Sequence, residues 1–123
     1  MENKIQKFSD LIAWKEAHKI VLFIYRSTQN FPPSEKFGIV DQMRRASISI
    51  TSNIAEGFGR RTAKDKINFY IMAKSSLAEL ENQCIASRDL GYLKQNDFSN
   101  FERRAEIVNK LISSLCKSAP DRM

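Results

Sequence analysis

Ionic chemistry is what the residue types of this chain offer most of. Between Lys36 and Lys74 stand eight bases, Lys36, Arg44, Arg45, Arg60, Arg61, Lys64, Lys66 and Lys74, against three acids, Asp41, Glu56 and Asp65. That third of the chain carries +5 of a formal net charge of +6. Such an excess attracts polyanions, although on a small protein it also serves solubility. Arg60, Arg61 and Lys64 cluster where one helix should end and the next begin. Lys64 and Lys66 fall near an expected helix N-terminus, whose free N–H groups can hold a phosphate. Arg60, Arg61, Lys64 and Lys66 are therefore the expected phosphate partners. Arg44 and Arg45 are candidates as well, with ion pairing to Asp41 or Glu56 as their competing role. No aromatic ladder accompanies the bases, so base stacking and sequence readout are expected to be weak.

Nucleophilic, redox and metal chemistry find little to work with. His18 is the single histidine and sits at the edge of an apolar stripe, with no nucleophile beside it. A di-iron bundle needs Glu-x-x-His on two helices, which one histidine cannot supply. Cys84 and Cys116 are far apart in sequence and read as buried free thiols. Gly57-Phe58-Gly59 lacks the Gly-Lys-Ser/Thr that completes a phosphate loop. Glu56 and Glu79 are expected to pair with arginine or a buried amide. Asn53 is expected to be a polar contact that fixes helix register, donating to a carbonyl or pairing with Glu56 or Glu79. The expectation is a non-enzymatic protein with no cofactor and no metal.

The elements that must position these residues are helices. Four glycines and three prolines in 123 residues argue against a turn-rich β protein, and an apolar share of 42% suits one small core. Ser47 to Thr51 alternates like a strand, yet Ile39, Met43, Ala46, Ile50, Ile54 and Gly57 repeat at helical spacing over a longer stretch. Helices are expected from Leu11 to Gln29, Lys36 to Phe58, Ala63 to Leu90 and Asn96 to Lys117. Residues 1–8 and 118–123 should be loosely held. Short links between four such helices give an all-α, antiparallel, up-down-up-down four-helix bundle. Helix one should bury Leu11, Trp14, Ala17, Val21, Ile24, Tyr25 and Thr28, with Ile20 outside that stripe. Ser9 or Asp10 should cap its start, and Gly59 should end helix two in a left-handed cap. Thr62, with Asp65 three residues on, should cap helix three.

Helix three carries two apolar stripes, Phe69, Ala73, Leu77, Leu80 and Cys84 on one side and Ile67, Ile71, Ala78 and Ile85 on the other. Lys74, Glu81 and Arg88 lie between them. Helix two adds a narrow second stripe of Phe37, Ile48, Thr51 and Ala55. One stripe serves the protomer's own core, so the second predicts a homo-oligomer, with Ile48, Ile67, Ile71, Ala78 and Ile85 at the interface. No apolar run is long enough for a membrane span, and the first residues lack a secretion signal, so the expected location is cytoplasmic.

Several pieces of the chain recur in one family in this order and spacing. They are Asp10-Leu11 with Trp14 and Ala17, Tyr25, Phe31-Pro32 with Glu35, Phe37-Gly38, Gln42, Arg44-Arg45-Ala46, Ser49-Ile50, Asn53-Ile54-Ala55-Glu56-Gly57, and Ser76-Leu77 with Glu79-Leu80. Together they resemble the four-helix-bundle proteins encoded in intervening sequences of 23S ribosomal RNA genes. That family is related to the accessory variability determinant proteins of diversity-generating retroelements. Thr51 stands where proline is common in the family, and Ser75 where glycine is common. The resemblance implies a homo-oligomer, a pentamer in the retroelement relatives, with a basic surface that binds RNA or DNA and a reverse transcriptase. The functions expected are phosphate-directed binding of structured RNA or an RNA/DNA hybrid or, alternatively, a scaffold or adaptor for a protein such as a reverse transcriptase.

Overall fold

The computed structural model describes residues 4–121. It contains α1 (Ile12–Ser27), α2 (Ile39–Gly59), α3 (Ala63–Asp89) and α4 (Gln95–Ser118), with short 3-10 turns at Phe8–Asp10, Thr28–Asn30 and Pro33–Glu35. Among the described residues there is no strand. Each helix packs on the next in sequence, and α1 closes the ring on α4, which makes an antiparallel four-helix bundle. Residues 1–3 and 122–123, the outermost parts of the two segments expected to be loose, lie outside the described residues.

Ser47 to Thr51 is helical, and burial decides it. In a strand Ile48 and Ile50 would share a face. In α2 they part, with Ile50 fully buried and Ile48 42% exposed. Met43, Ala46, Ser47, Ile50, Ile54 and Gly57 then form one buried stripe.

The tightest seam in the bundle lies between α2 and α3. A Cβ added to Gly57 would sit 2.6 Å from Cε1 of the Tyr70 ring and 3.2 Å from the Lys66 carbonyl oxygen. Further along, the Ser49 and Ser76 hydroxyls meet at 2.8 Å. Asn53 Nδ2 donates to the Ser49 carbonyl at 2.8 Å and to Ser49 Oγ at 3.1 Å. The amide thus completes the seam by bonding within its own helix, and neither Glu56 nor Glu79 is its partner.

Several local expectations are corrected. The buried stripe of α1 is Ala13, Ala17, Ile20, Val21 and Ile24, so Ile20 is core and Tyr25 is not. Ala13, Ala17, Ile20 and Ile24 follow a four-three-four spacing, and a stripe centred there rotates Trp14 and Tyr25 to the helix edge. No side chain caps α1; Asp10 instead accepts from the Gln6 and Lys7 amides at 3.0 and 3.1 Å. Those two amides hold the Asp10 carboxyl below its ordinary pKa. Phe8 meets the Trp14 ring edge-on at 5.6 Å.

Helix α2 begins at Ile39 rather than Lys36. Pro33–Glu35 forms its own turn, and Gly38 holds φ −102 and ψ −115, outside the helical region. Glu35 takes over as cap: its Oε1 accepts from the Ile39 amide at 3.4 Å, and its Oε2 accepts from the Tyr92 hydroxyl at 3.1 Å. That bond favours the protonated phenol and raises the Tyr92 pKa. Gly59 is not left-handed; the positive φ among the described residues belongs to Gly91, at 83° after α3.

The two glycines near the end of α2 give a direct test. Gly57→Ala should lower stability by about 1–3 kcal/mol through overpacking against Tyr70. Gly59→Ala, with nothing within 4 Å, should leave it unchanged or slightly higher. Urea unfolding of both variants reads the difference, and equal midpoints would mean the seam is not tight.

Candidate nucleic-acid interface

Only three residues, Arg60, Arg61 and Thr62, separate α2 from α3. The junction brings the last carbonyls of α2 beside the first turn of α3. Lys66 fills the space between them: its ammonium donates to the Phe58 carbonyl at 2.7 Å and to the Gly57 carbonyl at 3.4 Å. The Phe58 carbonyl is an orphan acceptor at the negative end of a helix, the Gly57 carbonyl also accepts the Arg60 amide at 3.2 Å, and the cation there complements the helix dipole. Lys66 is therefore 2% exposed and is removed from the expected phosphate partners. It also replaces the left-handed glycine cap, which explains why Gly59 remains helical.

The rest of the junction faces outward. Arg60 pairs with Glu56 at 2.9 Å, and its guanidinium lies over the Phe69 ring at 4.4 Å. Its side chain is about half exposed, so the pair is weak and open to exchange. Arg61 and Lys64 are exposed and carry no ion pair among the described residues. Thr62 Oγ1 accepts from the Asp65 amide at 3.1 Å, as its spacing predicted. The Ala63 amide donates to the Asp121 carboxylate at 2.6 Å. A shallow open groove runs over Gly59, Arg60, Arg61, Thr62 and Asp65.

Arg44 and Arg45 lie elsewhere. From Arg45 to the end of α2 at Gly59 the helix runs fourteen residues, roughly 21 Å at 1.5 Å per residue. Arg44 is a clamp between helices: its Nε donates to Thr28 Oγ1 at 3.0 Å, Nη2 to the Tyr25 carbonyl at 3.2 Å, and its guanidinium covers the Tyr25 ring at 4.6 Å. Arg45 pairs with Asp41 at 2.9 Å, yet its side chain is 79% exposed. The six expected basic residues thus divide into a junction group, a separate group on the side of α1 and α2, and the buried Lys66.

One feature of that second group escaped the sequence pattern. Phe37 is 87% exposed, with the Lys36 ammonium 5.5 Å from its ring centroid. Helical periodicity placed it on an apolar stripe with Ile48, but it precedes the helix. The signal was the Pro32-Pro33 pair, which ends regular structure just before it.

The expected oligomer residues do not form one patch either. Ile71, Ala78 and Ile85 are exposed two turns apart on the outer face of α3. Ile67 is half-buried at the end of that line. Ile48 lines a groove with Tyr25 of α1, on the other side of α2 from α3. In the seam beside the isoleucines, Lys74 donates to Ser113 of α4 at 2.8 Å, and Arg88 covers Phe98 at 4.4 Å. Glu81 has no ion pair among the described residues, and burial with the nearby Glu102 raises its pKa. Glu79 is exposed and accepts only a long bond from Gln83, 3.4 Å.

Burial first, then Glu102 and Glu81, pushes the Cys84 thiol up to about 12, so thiolate chemistry is suppressed there. Burial also raises Cys116. His18 is stacked on Trp14 at 4.7 Å. Among the described residues no group of His, Cys, Asp and Glu could hold a metal ion. Among the described residues no helix is long and apolar enough to cross a membrane.

Residues 9–114 match the family model described as 23S rRNA-intervening sequence protein. The fold is similar to a crystal structure of a protein of unknown function from the S23 ribosomal protein family of Bacteroides thetaiotaomicron. The TM-score is 0.79 over 87% of this chain and 96% of that one. At 20% identity that likeness shows the fold. No curated protein matches the chain.

The two lysines on the first turns of α3 should behave oppositely. Lys66→Met keeps the apolar stem but takes the ammonium from the Phe58 carbonyl, and should lower stability by about 1–3 kcal/mol. Lys64→Met should change it by less than about 0.5 kcal/mol. Thermal unfolding compares them; a silent Lys66→Met would remove the helix-capping role.

Proposed function

The chain belongs to the 23S rRNA-intervening sequence protein family, and we propose that it is a non-enzymatic, oligomeric four-helix bundle that holds nucleic acid by phosphate contacts. The observation that carries this is the two exposed cations without an ion pair among the described residues, Arg61 in the α2–α3 link and Lys64 on the first turn of α3, beside the half-engaged Arg60. Hydrogen bonds engage Arg44 and Lys66, an ion pair with Asp41 engages Arg45, and the junction keeps charge to spare. Phosphate contacts of this kind position a polyanion without reading its sequence.

Self-association supplies the second part. The isoleucine stripe of α3 and the Tyr25–Ile48 surface lie on different sides of the bundle. Contact between two unlike surfaces is head-to-tail and closes into a ring when the rotation permits. A ring, the pentamer of the retroelement relatives being one case, would repeat the basic junction around one rim. Several weak phosphate sites on one strand then reinforce one another.

Titration of fluorescent RNA and DNA at several salt concentrations tests the proposal. Binding should weaken steeply with salt, with a slope near 0.9 per phosphate neutralised. Arg61→Ala/Lys64→Ala should make the slope shallower by about 1–2. Light scattering should give a mass several times 14.2 kDa, and Ile71→Glu/Ile85→Glu should reduce it. Absence of binding at low salt would leave the adaptor role, with a reverse transcriptase as the protein partner to try. A wild-type monomer at micromolar concentration would end the ring.

A further inference from the structure

We infer that the approach to α2 is a platform for an unpaired nucleic-acid base, with Phe37 as the stacking surface and Lys36 and Arg45 as its phosphate partners. This rests on the nucleic-acid reading above but uses different residues at the far end of α2.

Phe37 is the most exposed large apolar side chain among the described residues, at 87%. Its backbone is nevertheless fixed. The Pro33–Glu35 turn precedes it, the Gly38 amide donates to the Glu35 carbonyl at 3.0 Å, and Glu35 is tied to Tyr92 at 3.1 Å. A turn anchored in this way holds the ring out in water. Arg45 follows on α2, and its side chain is 79% exposed. Asp41 is the acid beside Arg45 and is engaged by it at 2.9 Å.

The surroundings favour a nucleic acid over a protein. Interface cores are depleted of lysine, and Phe37 has Lys36 against its face and exposed Ser34 nearby. It precedes α2, and the isoleucine stripe lies on the outer face of α3, so no apolar patch joins the two. A strongly exposed aromatic ring beside a lysine ammonium is the composition of a single-strand stacking site. A duplex hides its base faces, so the platform takes unpaired bases.

Fluorescence anisotropy with a short oligouridine and a short RNA duplex tests this on the full chain. Phe37→Ala should weaken oligouridine binding about tenfold and leave duplex binding and its salt slope unchanged. Phe37→Trp should keep affinity, and its emission should change when oligouridine is added. Equal oligouridine affinity in Phe37→Ala and wild type would overturn the platform. So would an equal loss for both probes, or a fall in oligomer mass in Phe37→Ala, which would make the ring a contact between protein copies. If Phe37→Ala is silent while Arg61→Ala/Lys64→Ala weakens binding, only the platform fails. If wild type binds neither probe at low salt, both proposals fail.

Discussion

The close approach of α2 to α3 is the constraint on which the rest of the molecule depends. Gly57 lets the Tyr70 ring sit where a methyl group would be, and the Ser49–Ser76 contact holds the two helices near each other farther along. Helices so close can be joined by three residues. So short a link leaves no room for a glycine cap, and the α2 carbonyls are satisfied by Lys66 from the partner helix. With one cation consumed inside, Arg61 and Lys64 are left on the outside of the same turn. The Asn-Ile-Ala-Glu-Gly run therefore serves close packing and capping geometry first. The exposed charge at the junction follows from that geometry.

The helical stripes were legible in the sequence because burial at helical spacing is a strong, local and repeated signal. Met43, Ala46, Ile50 and Ile54 outvoted a brief alternation, and Thr62 with Asp65 marked a helix start by chemistry alone. What was not legible depended on partners distant in sequence or on one rotated register. Lys66 looks like any surface lysine until the carbonyls that receive it are in place. Tyr25 and Ile20 could exchange roles because α1 has apolar residues on more than one side. Phe37 was assigned to a helical stripe because periodicity ignores where a helix begins.

Charge has three distinct uses in this bundle. Lys66 and Arg44 stabilise it from within, by capping a helix and by clamping α1 to α2. Arg45 and Arg60 are held in exposed pairs four residues apart, which contribute little and exchange readily. Arg61 and Lys64 have no such role. Counting bases along the chain merges these classes, and the geometry separates them: the exposed bases lie at the α2–α3 junction and, on Arg45, farther back along α2.

If the α2–α3 seam is the organising contact, it should be the last part of the protein to open. Native-state amide hydrogen exchange measures this directly. Amides from Ser49 to Gly57 and from Ala73 to Leu80 should exchange only with global unfolding, and more slowly than those of α1 and α4. Opening of α2 at a lower free energy, while α1 and α4 stay protected, would contradict the account.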